Sequence, residues 1–298
     1  ELFWIVSGLS LGAFLGSLCA LLVLPGLPWQ NEAEKSTGVC PRGAVCMYPQ
    51  LEQMENGNVR PCPKRLILIR HGESEGNLDQ NIYESTADNS LHLTERGWSQ
   101  ALSAGMALQD IVSNESVIFF VSPYVRSRET FHAIAKAWGG YERVFWTEDP
   151  RLREQDFGNF QDAEKMKRNK IERVGFGSFY YRFPDGGESS ADVYDRVSSF
   201  MESLYRHWES HPELDNYVLV AHSITVSTFL MRWFKYSEEE YYSYEHFQHC
   251  ELGVLERSEA GRLELKYTVT TEEGRHVRHG ERSRKPEQER KSRNMRVE

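Results

Sequence analysis

The sequence has few cations, few cysteines and no visible internal repeat. Its 298 residues include 35 Lys and Arg against 44 Asp and Glu, which gives a net charge of -9. This balance argues against nucleic-acid binding by the body of the chain, because phosphate backbones attract clustered cations. Five cysteines, an odd number, leave at least one unpaired within the chain. The length favours one catalytic domain with appendages. It gives no information about the oligomeric state.

One segment near the start lacks charge altogether. Residues 2–30 contain no charged side chain, and this run is longer than the ~20 residues that cross a bilayer core. We therefore expect residues 1–30 to form a hydrophobic helix that anchors the protein to a membrane in a single pass, with the cytoplasm preferred as the side that holds the domain. A cleaved signal segment is the main alternative, although its apolar region is usually shorter. A buried core helix is another.

Two further segments lack the periodicity of helices or strands. Residues 31–63 contain Pro41, Pro49, Pro61 and Pro63, which indicates a linker or stalk. Residues 275–298 carry nine Arg or Lys against four Glu, so we interpret residues 271–298 as a basic disordered tail. Such a tail is ordinarily just solvated, and adhesion to anionic lipid or RNA is the alternative. The domain itself is expected over residues 64–270.

Within that domain, four apolar runs predict strands, at residues 66–69, 117–121, 144–146 and 217–221. Amphipathic or polar segments between them predict helices. One is capped by Thr94 and places Trp98, Ala101, Leu102, Gly105 and Met106 on its apolar side. Others cover residues 161–173, 190–208 and 223–235, and residues 264–270 alternate as in an antiparallel edge strand. The fold class is therefore α/β, with a mixed, mostly parallel sheet flanked by helices on both faces.

Three of the strands end in cationic or imidazole side chains. Arg70 and His71 follow the first strand, Arg126 follows the second, and His222 follows the fourth. Ligands of open α/β sheets bind at the carboxyl ends of the strands. Two guanidiniums and two imidazoles at one edge predict an anion site, because Arg presents planar donors that match phosphate oxygens. Asn77, in the loop after His71, adds neutral donors.

Such a site suits phosphoryl transfer through a phosphohistidine, in which fixed cations stabilise the charge on the phosphoryl oxygens. No cofactor or metal is required. Glu154, beside Arg153 and an aromatic-glycine turn, is the candidate general acid. It is equally placed to be an ion-pair partner of Arg153. Metal binding by His71 and His222 is disfavoured, because neither has a second His four residues away and the chain contains no Cys-x-x-Cys pair.

The same residues resemble the signature of the histidine phosphatase superfamily, also called phosphoglycerate-mutase-like. Residues 70–77, Arg-His-Gly-Glu-Ser-Glu-Gly-Asn, are similar to its Arg-His-Gly-Glu-(Ser/Thr)-x-x-Asn motif. Further similarity lies in Ser122-Pro123-Tyr124-Val125-Arg126, Leu152-Arg153-Glu154, Gly186-Gly187-Glu188-Ser189 and Val220-Ala221-His222. The resemblance covers about residues 64–270 and is nearest to the plant and fungal phosphoglycerate-mutase-like proteins, through residues 153–161 and 192–197.

The resemblance implies a mixed sheet flanked by helices and a role for each site residue. His71 would be the phosphorylated nucleophile and Glu154 the proton donor, while Arg70, Asn77, Arg126 and His222 would hold the phosphoryl group. One departure is Ser223, where the family usually has Gly after the second histidine; a positive φ there would displace His222.

A metal-independent phosphatase acting on a small phosphomonoester is the preferred function. The alternatives are a phosphoglycerate-type phosphomutase, although the segment after Glu154 has no basic run similar to that of cofactor-dependent mutases, and a catalytically weak phosphate-binding scaffold at a membrane. No nucleic-acid partner is expected. The aromatic residues Phe176, Phe179, Tyr180, Tyr181 and Phe183, with Arg182, are expected to line or cover the mouth of the site, with core packing as the alternative.

Overall fold

The structure is a computed structural model that describes residues 62–286, apart from 141–143, 160, 273–274 and 281. The predicted anchor, nearly all of the predicted linker and residues 287–298 lie outside the described residues. Within the part that is described, no helix is both long and apolar enough to cross a membrane.

The described strands form one seven-stranded mixed sheet in the order β3-β2-β4-β1-β5-β6-β7. The first four strands of this order run parallel to one another, and each remaining strand is antiparallel to its neighbour. The bounds are β1 Arg65–Arg70, β2 Val117–Val121, β3 Phe145–Glu148, β4 Asn216–Ala221, β5 Leu252–Arg257, β6 Leu263–Glu272 and β7 Arg275–His279.

Helices cover both faces of this sheet, as expected. The helices α2 and α3 pack on one face and α5 and α6 on the other. The bounds are α1 Glu75–Leu78, α2 Glu95–Val112, α3 Val125–Ala137, α4 Ala163–Gly175, α5 Ser190–Ser210, α6 Ser223–Phe234 and α7 Glu238–Ser243. Short 3₁₀ turns lie at Gln80–Glu84, Asp88–Ser90 and Pro150–Leu152.

The apolar runs of β1 and β4 follow from this double coverage. Ile67 and Ile69 of β1 pack against α2 and α3, whereas Leu66 and Leu68 pack against α5 and α6. Alternate residues of a strand point to opposite faces, so a strand covered on both sides must be apolar throughout. The polar residues that follow β1 and β4 consequently mark the place where the chain leaves the core.

Several helix signals are confirmed. The Thr94 hydroxyl accepts a hydrogen bond from the backbone N–H of Gly97 at 3.0 Å, and Ser189 and Asp192 form the predicted capping box of α5. The apolar side of α2 was only partly predicted, because Met106 is 48% exposed. The buried side of α2 extends instead over Gly97, Ala104, Ala107, Leu108 and Ile111, since small residues let this helix approach both the sheet and α3.

The carboxyl-terminal third of the sheet departs from the predictions. The expected predominance of parallel pairing is wrong, because three of the six neighbouring strand pairs in the described sheet are antiparallel. The predicted edge strand, β6, lies inside the sheet, since β7 pairs with its outer side. The prediction of disorder is also wrong for residues 275–279, which form β7. This strand has no apolar pattern, and its pairing with β6 through backbone hydrogen bonds stabilises it.

Candidate active site

Four of the six predicted site residues, Arg70, His71, Arg126 and His222, follow the carboxyl ends of three neighbouring parallel strands. Arg70 is paired with Ala221 across β1 and β4, and the backbone N–H of His71 donates to the Ala221 carbonyl at 2.9 Å. The backbone N–H of Ser122, just past β2, donates to the Val220 carbonyl at 2.9 Å. These bonds extend the sheet past the last strand residues, so the polar side chains that follow are held in register.

The imidazole of His71 is buried, with 4% of its surface exposed, and its tautomer is fixed by the backbone. Its Nδ1 lies 2.7 Å from the carbonyl oxygen of Gly72. A carbonyl only accepts hydrogen bonds, so Nδ1 carries the proton and the neutral ring has its lone pair on Nε2. The Gly72 peptide is held in turn by Thr130, whose Oγ1 accepts from the Gly72 N–H at 3.0 Å. This geometry prepares Nε2 of His71 as a nucleophile.

The second imidazole, His222, is fully buried beside the first. The ring centroids of His71 and His222 are 5.0 Å apart in an edge-to-face arrangement. Its Nε2 is 2.8 Å from the hydroxyl of Ser122 and 3.3 Å from that of Ser127. No described residue hydrogen-bonds the buried Nδ1 of His222, and a buried polar atom of this kind requires an explanation.

The guanidinium of Arg70 is oriented by the loop that precedes β5. Its Nη1 donates to the carbonyl oxygen of Phe247 at 2.6 Å, and its Nη2 lies 3.0 Å from Nε2 of His249. Burial and the charge of Arg70 lower the pKa of His249 to about 4, so this imidazole is neutral and accepts the bond. The buried Nε of Arg70 hydrogen-bonds to no described residue, which leaves a cationic N–H donor in the site.

Arg126, in the first turn of α3, is 4% exposed. Its Nη1 donates to the backbone carbonyl of Asp88 and lies 3.1 Å from an oxygen of the Asp88 carboxylate. The guanidinium also lies 4.9 Å from the ring centroid of Tyr124. The predicted phosphate-binding cation is therefore already paired with a carboxylate, which sequence reasoning did not anticipate.

Glu154 follows the 3₁₀ turn after β3 and approaches the amino terminus of α6. One carboxyl oxygen of Glu154 accepts a hydrogen bond from the backbone N–H of Gln155 at 3.1 Å. The other accepts one from the backbone N–H of Ile224 at 3.4 Å. Burial raises the pKa of Glu154, while these N–H groups and the cations Arg126 and Arg70 oppose the rise. The net upward shift favours a protonated carboxyl in the site.

Arg153 forms its ion pair with Glu188 and not with Glu154. Glu188, from the Gly186-Gly187 loop, accepts hydrogen bonds from Arg153 and, at 3.0 Å, from Nε of Arg196. Arg196 also donates to the Glu154 backbone carbonyl at 3.1 Å. Because Arg153 is bound to Glu188, the Glu154 side chain is left to face the site. The network fixes the segment that carries Glu154.

Burial and nearby positive charges keep both histidines neutral. Burial lowers the pKa of His71 well below its usual value, and the positive charges of Arg126 and Arg70 lower it further. Burial and Arg126 act in the same direction on the pKa of His222. A neutral imidazole is the nucleophilic form, so the guanidiniums both attract an anion and keep the lone pair of His71 available.

These groups surround one cavity of about 540 Å³. Of the six predicted residues, Arg70, His71, Asn77, Arg126 and Glu154 line it. His222 does not, although it contacts His71. Asn77 is engaged through its side-chain oxygen, which accepts from the N–H of Ser74 at 3.0 Å and from its hydroxyl at 2.9 Å. The amide nitrogen of Asn77 is the end that can donate to a ligand.

Ser223 is compatible with this arrangement. It is the first residue of α6 and is not among the described residues with positive φ. His222 precedes it in extended backbone, with φ -120° and ψ 168°. The replacement of the family's usual glycine therefore introduces no strain at this turn.

The aromatic segment at residues 176–183 does not line the cavity. Phe179 and Phe183 are buried core residues, whereas Phe176 and Tyr180 are 73% and 72% exposed. Arg182 is paired with Asp192. The prediction that these residues line the mouth is therefore wrong. Core packing, the alternative, holds for Phe179, whose ring contacts Tyr194 of α5 and Tyr241 of α7, and for the buried Phe183.

Other lining residues were missed by sequence reasoning. They come from the loop between β1 and α2 and from α4: Gln80, Asn81, Tyr83, Asp88, Glu164, Met166, Lys167 and Lys170, with Phe157 from the turn after Glu154. Neither segment has a motif whose spacing points to the site. In the described part of the chain, no group of three or more His, Cys, Asp or Glu residues is arranged to hold a metal ion.

Comparison with known proteins identifies relatives of this chain. The model of the histidine phosphatase superfamily (branch 1) matches residues 66–270. The chain is 44% identical over 224 residues to phosphoglycerate mutase-like protein AT74 of Arabidopsis thaliana, covering 71% of this chain and 70% of the relative. It is 28% identical to the broad-range acid phosphatase DET1 of Saccharomyces cerevisiae, covering 66% and 86% of the two chains.

Solved structures share the fold at lower identity. A mycobacterial glucosyl-3-phosphoglycerate phosphatase in complex with VO3 is 22% identical with a TM-score of 0.53, covering 67% of this chain and 95% of that one. Bacillus stearothermophilus YhfR is 22% identical with a TM-score of 0.54, covering 67% and 94%. At these identities the likeness concerns the arrangement of helices and strands.

Proposed function

The chain belongs to the histidine phosphatase superfamily (branch 1), and on that premise we propose that it is a metal-independent phosphatase of small phosphomonoesters that works through a phosphohistidine on His71. The observation that carries this proposal is the hydrogen bond from His71 Nδ1 to the Gly72 carbonyl, which leaves Nε2 with the lone pair. The yeast relative is a broad-range acid phosphatase, which also supports hydrolysis.

In the first step, the Nε2 lone pair of His71 forms a bond to phosphorus as the bond between phosphorus and the ester oxygen breaks. Arg70, Arg126 and the amide of Asn77 bind the phosphoryl oxygens. His222 does not line the cavity, but its Nδ1 hydrogen-bonds to no described residue, and we propose that it donates to a phosphoryl oxygen when phosphate is bound beside His71. Fixed donors of this kind stabilise the charge of the transition state without reorganisation. Glu154 gives its proton to the departing alkoxide, which leaves as an alcohol.

In the second step, water replaces the alcohol. The Glu154 carboxylate takes a proton from this water as its oxygen bonds to phosphorus and the bond from phosphorus to Nε2 breaks. Inorganic phosphate is released, Glu154 is again protonated, and His71 is again neutral. The raised pKa of Glu154 suits both halves of this cycle, because a carboxyl must be protonated to act as an acid and ionised to act as a base.

Hydrolysis of p-nitrophenyl phosphate by the full chain in the presence of a chelator tests this proposal. We expect turnover that His71→Asn abolishes, since Asn has a similar size but no nucleophilic nitrogen. His276→Ala, which removes an exposed imidazole on β7, is the matched control and should retain activity. Unchanged turnover in His71→Asn would reject the nucleophile, and loss of activity to the chelator would reject metal independence.

Two other functions are separated by product measurements. A phosphomutase would transfer phosphate between two phosphoglycerates faster than it releases inorganic phosphate. A phosphate-binding scaffold would bind phosphate and release none from any ester. Attachment of the domain to a membrane through residues 1–30 remains part of the proposal, and alkaline extraction of membranes from cells that express the full chain tests it: an anchored protein stays in the pellet.

A further inference from the structure

Two histidines that the proposed phosphatase mechanism does not use lie next to each other where α5 ends. His207 is in the last turn of this helix, and His211 follows the helix as its C-cap residue. His211 belongs to the segment that leads into the amino-terminal end of β4, whereas His222 follows the carboxyl end of the same strand. The pair is therefore separate from the candidate active site.

The imidazole rings of His207 and His211 are stacked. Their centroids are 4.1 Å apart and their planes are inclined by 16°, as the spacing of four residues at a helix end allows. The ring of His207 is also held from its other sides, because it contacts the rings of Phe120 and Tyr217 edge to face at 5.4 and 5.5 Å. The structure thus contains a preformed pair of imidazoles.

Each ring is hydrogen-bonded to the protein through its Nδ1 atom. Nδ1 of His211 lies 3.1 Å from the carbonyl oxygen of His207. A carbonyl only accepts, so this Nδ1 carries the proton and Nε2 of His211 has the lone pair. Nδ1 of His207 lies 2.9 Å from the hydroxyl of Tyr217, whose oxygen is able to accept a hydrogen bond from it. Hydrogen bonds of this kind accompany metal-binding histidines, because they orient the ring and fix its tautomer.

The Nε2 atoms of the two rings are open to a ligand. Neither hydrogen-bonds to a described residue, and neither is a buried atom that lacks a partner, so both reach solvent. Burial and the neighbouring His211 lower the pKa of His207, while the carboxylate of Glu213 opposes this change. His207 is therefore neutral at neutral pH, and a neutral imidazole is a ligand for transition metals.

We propose that His207 and His211 bind a divalent transition-metal ion such as Zn²⁺ through their Nε2 atoms, with water completing the coordination. Zn–N bonds of about 2.0–2.1 Å place two nitrogens of a tetrahedral ion about 3.3 Å apart. A tilt of the stacked rings toward each other brings the Nε2 atoms to that separation. The negative charge of Glu213, which acts on both His207 and Tyr217, attracts the cation. Mg²⁺ and Ca²⁺ are disfavoured, because they take oxygen ligands.

The bound ion has a structural role and no catalytic one. It connects the last turn of α5 to the segment that enters β4, so it stabilises the folded chain at this junction. A ligand that binds the folded state in preference to the unfolded state raises the midpoint of unfolding by mass action. Phosphoryl transfer on His71 does not depend on this ion, because the two histidines do not line the catalytic cavity.

Titration of the metal-free full chain with ZnCl2 in a calorimeter tests this inference. We expect the wild-type protein to bind one Zn²⁺ ion more than His207→Gln/His211→Gln does, and MgCl2 to show no such difference. At a Zn²⁺ concentration about a hundredfold above the dissociation constant, the midpoint of thermal unfolding should rise by about 5 °C more in the wild-type protein than in the variant. His211→Gln alone should lose most of this rise, and it keeps the contacts of His207 with Phe120 and Tyr217.

The matched control is His92→Gln/His276→Gln, which removes two imidazoles from other parts of the surface and should keep the additional Zn²⁺ ion and the rise in midpoint. Equal Zn²⁺ binding by the wild-type protein and the His211→Gln variant would overturn the inference, and so would an equal loss of binding in the control. Turnover of p-nitrophenyl phosphate by His211→Gln should match that of the wild-type protein, so the outcome is independent of the phosphatase proposal.

Discussion

The Nδ1 atom of His71 lies 2.7 Å from the carbonyl oxygen of Gly72. This contact assigns the proton of the neutral ring to Nδ1 and the lone pair to Nε2. It depends on the Gly72 peptide, whose N–H is bound to Thr130 Oγ1 at 3.0 Å. Thr130 in turn donates to the carbonyl of Arg126 at 2.7 Å. The nucleophile and a phosphate-binding cation are thus connected through one threonine of α3.

The pH profile of kcat/KM should be limited by His71 on the acid side and by Glu154 on the alkaline side. The active form needs neutral His71, whose pKa is held well below 6.5, and protonated Glu154, whose pKa is raised above 4.5. Activity is therefore expected to be greatest at acid pH and to fall as rising pH deprotonates Glu154. The pH profile is measured with an aryl and an alkyl phosphate, so that ionisation of His71 and Glu154 is distinguished from ionisation of the substrate. Activity that rises steadily to pH 9 would contradict the assignment of Glu154.

Replacing Glu154 by Gln should affect substrates according to their leaving groups. The change removes the proton donor and retains the shape of the side chain. Since kcat/KM reports only the steps up to the phosphohistidine, in which Glu154 is the acid, we expect kcat/KM to fall by about 10² to 10⁴ for an alkyl phosphate such as glycerol 1-phosphate. It should fall much less for p-nitrophenyl phosphate, whose leaving group needs no proton. Equal losses on the two substrates would indicate that Glu154 has a structural role only.

Replacing Asp88 by Asn should strengthen phosphate binding. The backbone carbonyl of Asp88 still holds Arg126 in the variant, while the carboxylate that lies 3.1 Å from Arg126 no longer repels a phosphoryl dianion. We expect the inhibition constant of inorganic phosphate to fall by about threefold or more, the effect of one like charge near a partly solvated site. Asp79→Asn is the control, since Asp79 caps the adjacent turn outside the cavity lining. Weaker binding in Asp88→Asn would mean that the carboxylate chiefly positions Arg126.

Replacing Arg282 by Ala should weaken phosphate binding from a distance. Arg282 donates to the Glu245 carbonyl at 3.0 Å and lies 5.5 Å from the ring centroid of Phe247. The carbonyl of Phe247 orients Arg70, so loss of Arg282 frees the loop that holds this guanidinium. We expect KM to rise by more than kcat falls, with partial rescue in Arg282→Lys. Arg278→Ala, which removes a cation from over Tyr267 on the sheet, should change neither; equal effects of the two substitutions would contradict this link.

Much of the fold was predictable because its signals are local. A strand covered on both faces must be apolar throughout, which identifies β1, β2 and β4, and the caps at Thr94 and Ser189 mark helix starts. The strand β7 was not predictable, because its polar sequence is stabilised by pairing with β6 and carries no pattern of its own.

The site residues also fall into those that local sequence signals predict and those that depend on tertiary packing. Arg70, His71 and His222 follow apolar runs directly and Arg126 follows one after a short turn, so the carboxyl edge of a sheet brings them together. Asp88, Lys167 and Lys170 lie on segments whose sequence does not reveal which way they fold. Contact of the turn Asp88–Ser90 with α3 brings Asp88 to the cavity, and the packing of α4 against Gln80–Glu84 brings the two lysines there. Phe176 is an example of the opposite error: it belongs to an aromatic cluster near a motif, yet it is exposed and does not line the cavity.

The central claim is that phosphate is carried on His71, and trapping of the phosphorylated protein tests it most directly. The full chain is mixed with a phosphomonoester labelled on phosphorus, quenched in alkali within one turnover, and digested for mass spectrometry. We predict a phosphoryl group on the peptide that contains His71, stable in alkali and lost in acid, and absent from His71→Asn. Phosphate released at the wild-type rate with no label on His71, or with the label on another residue, would contradict the account.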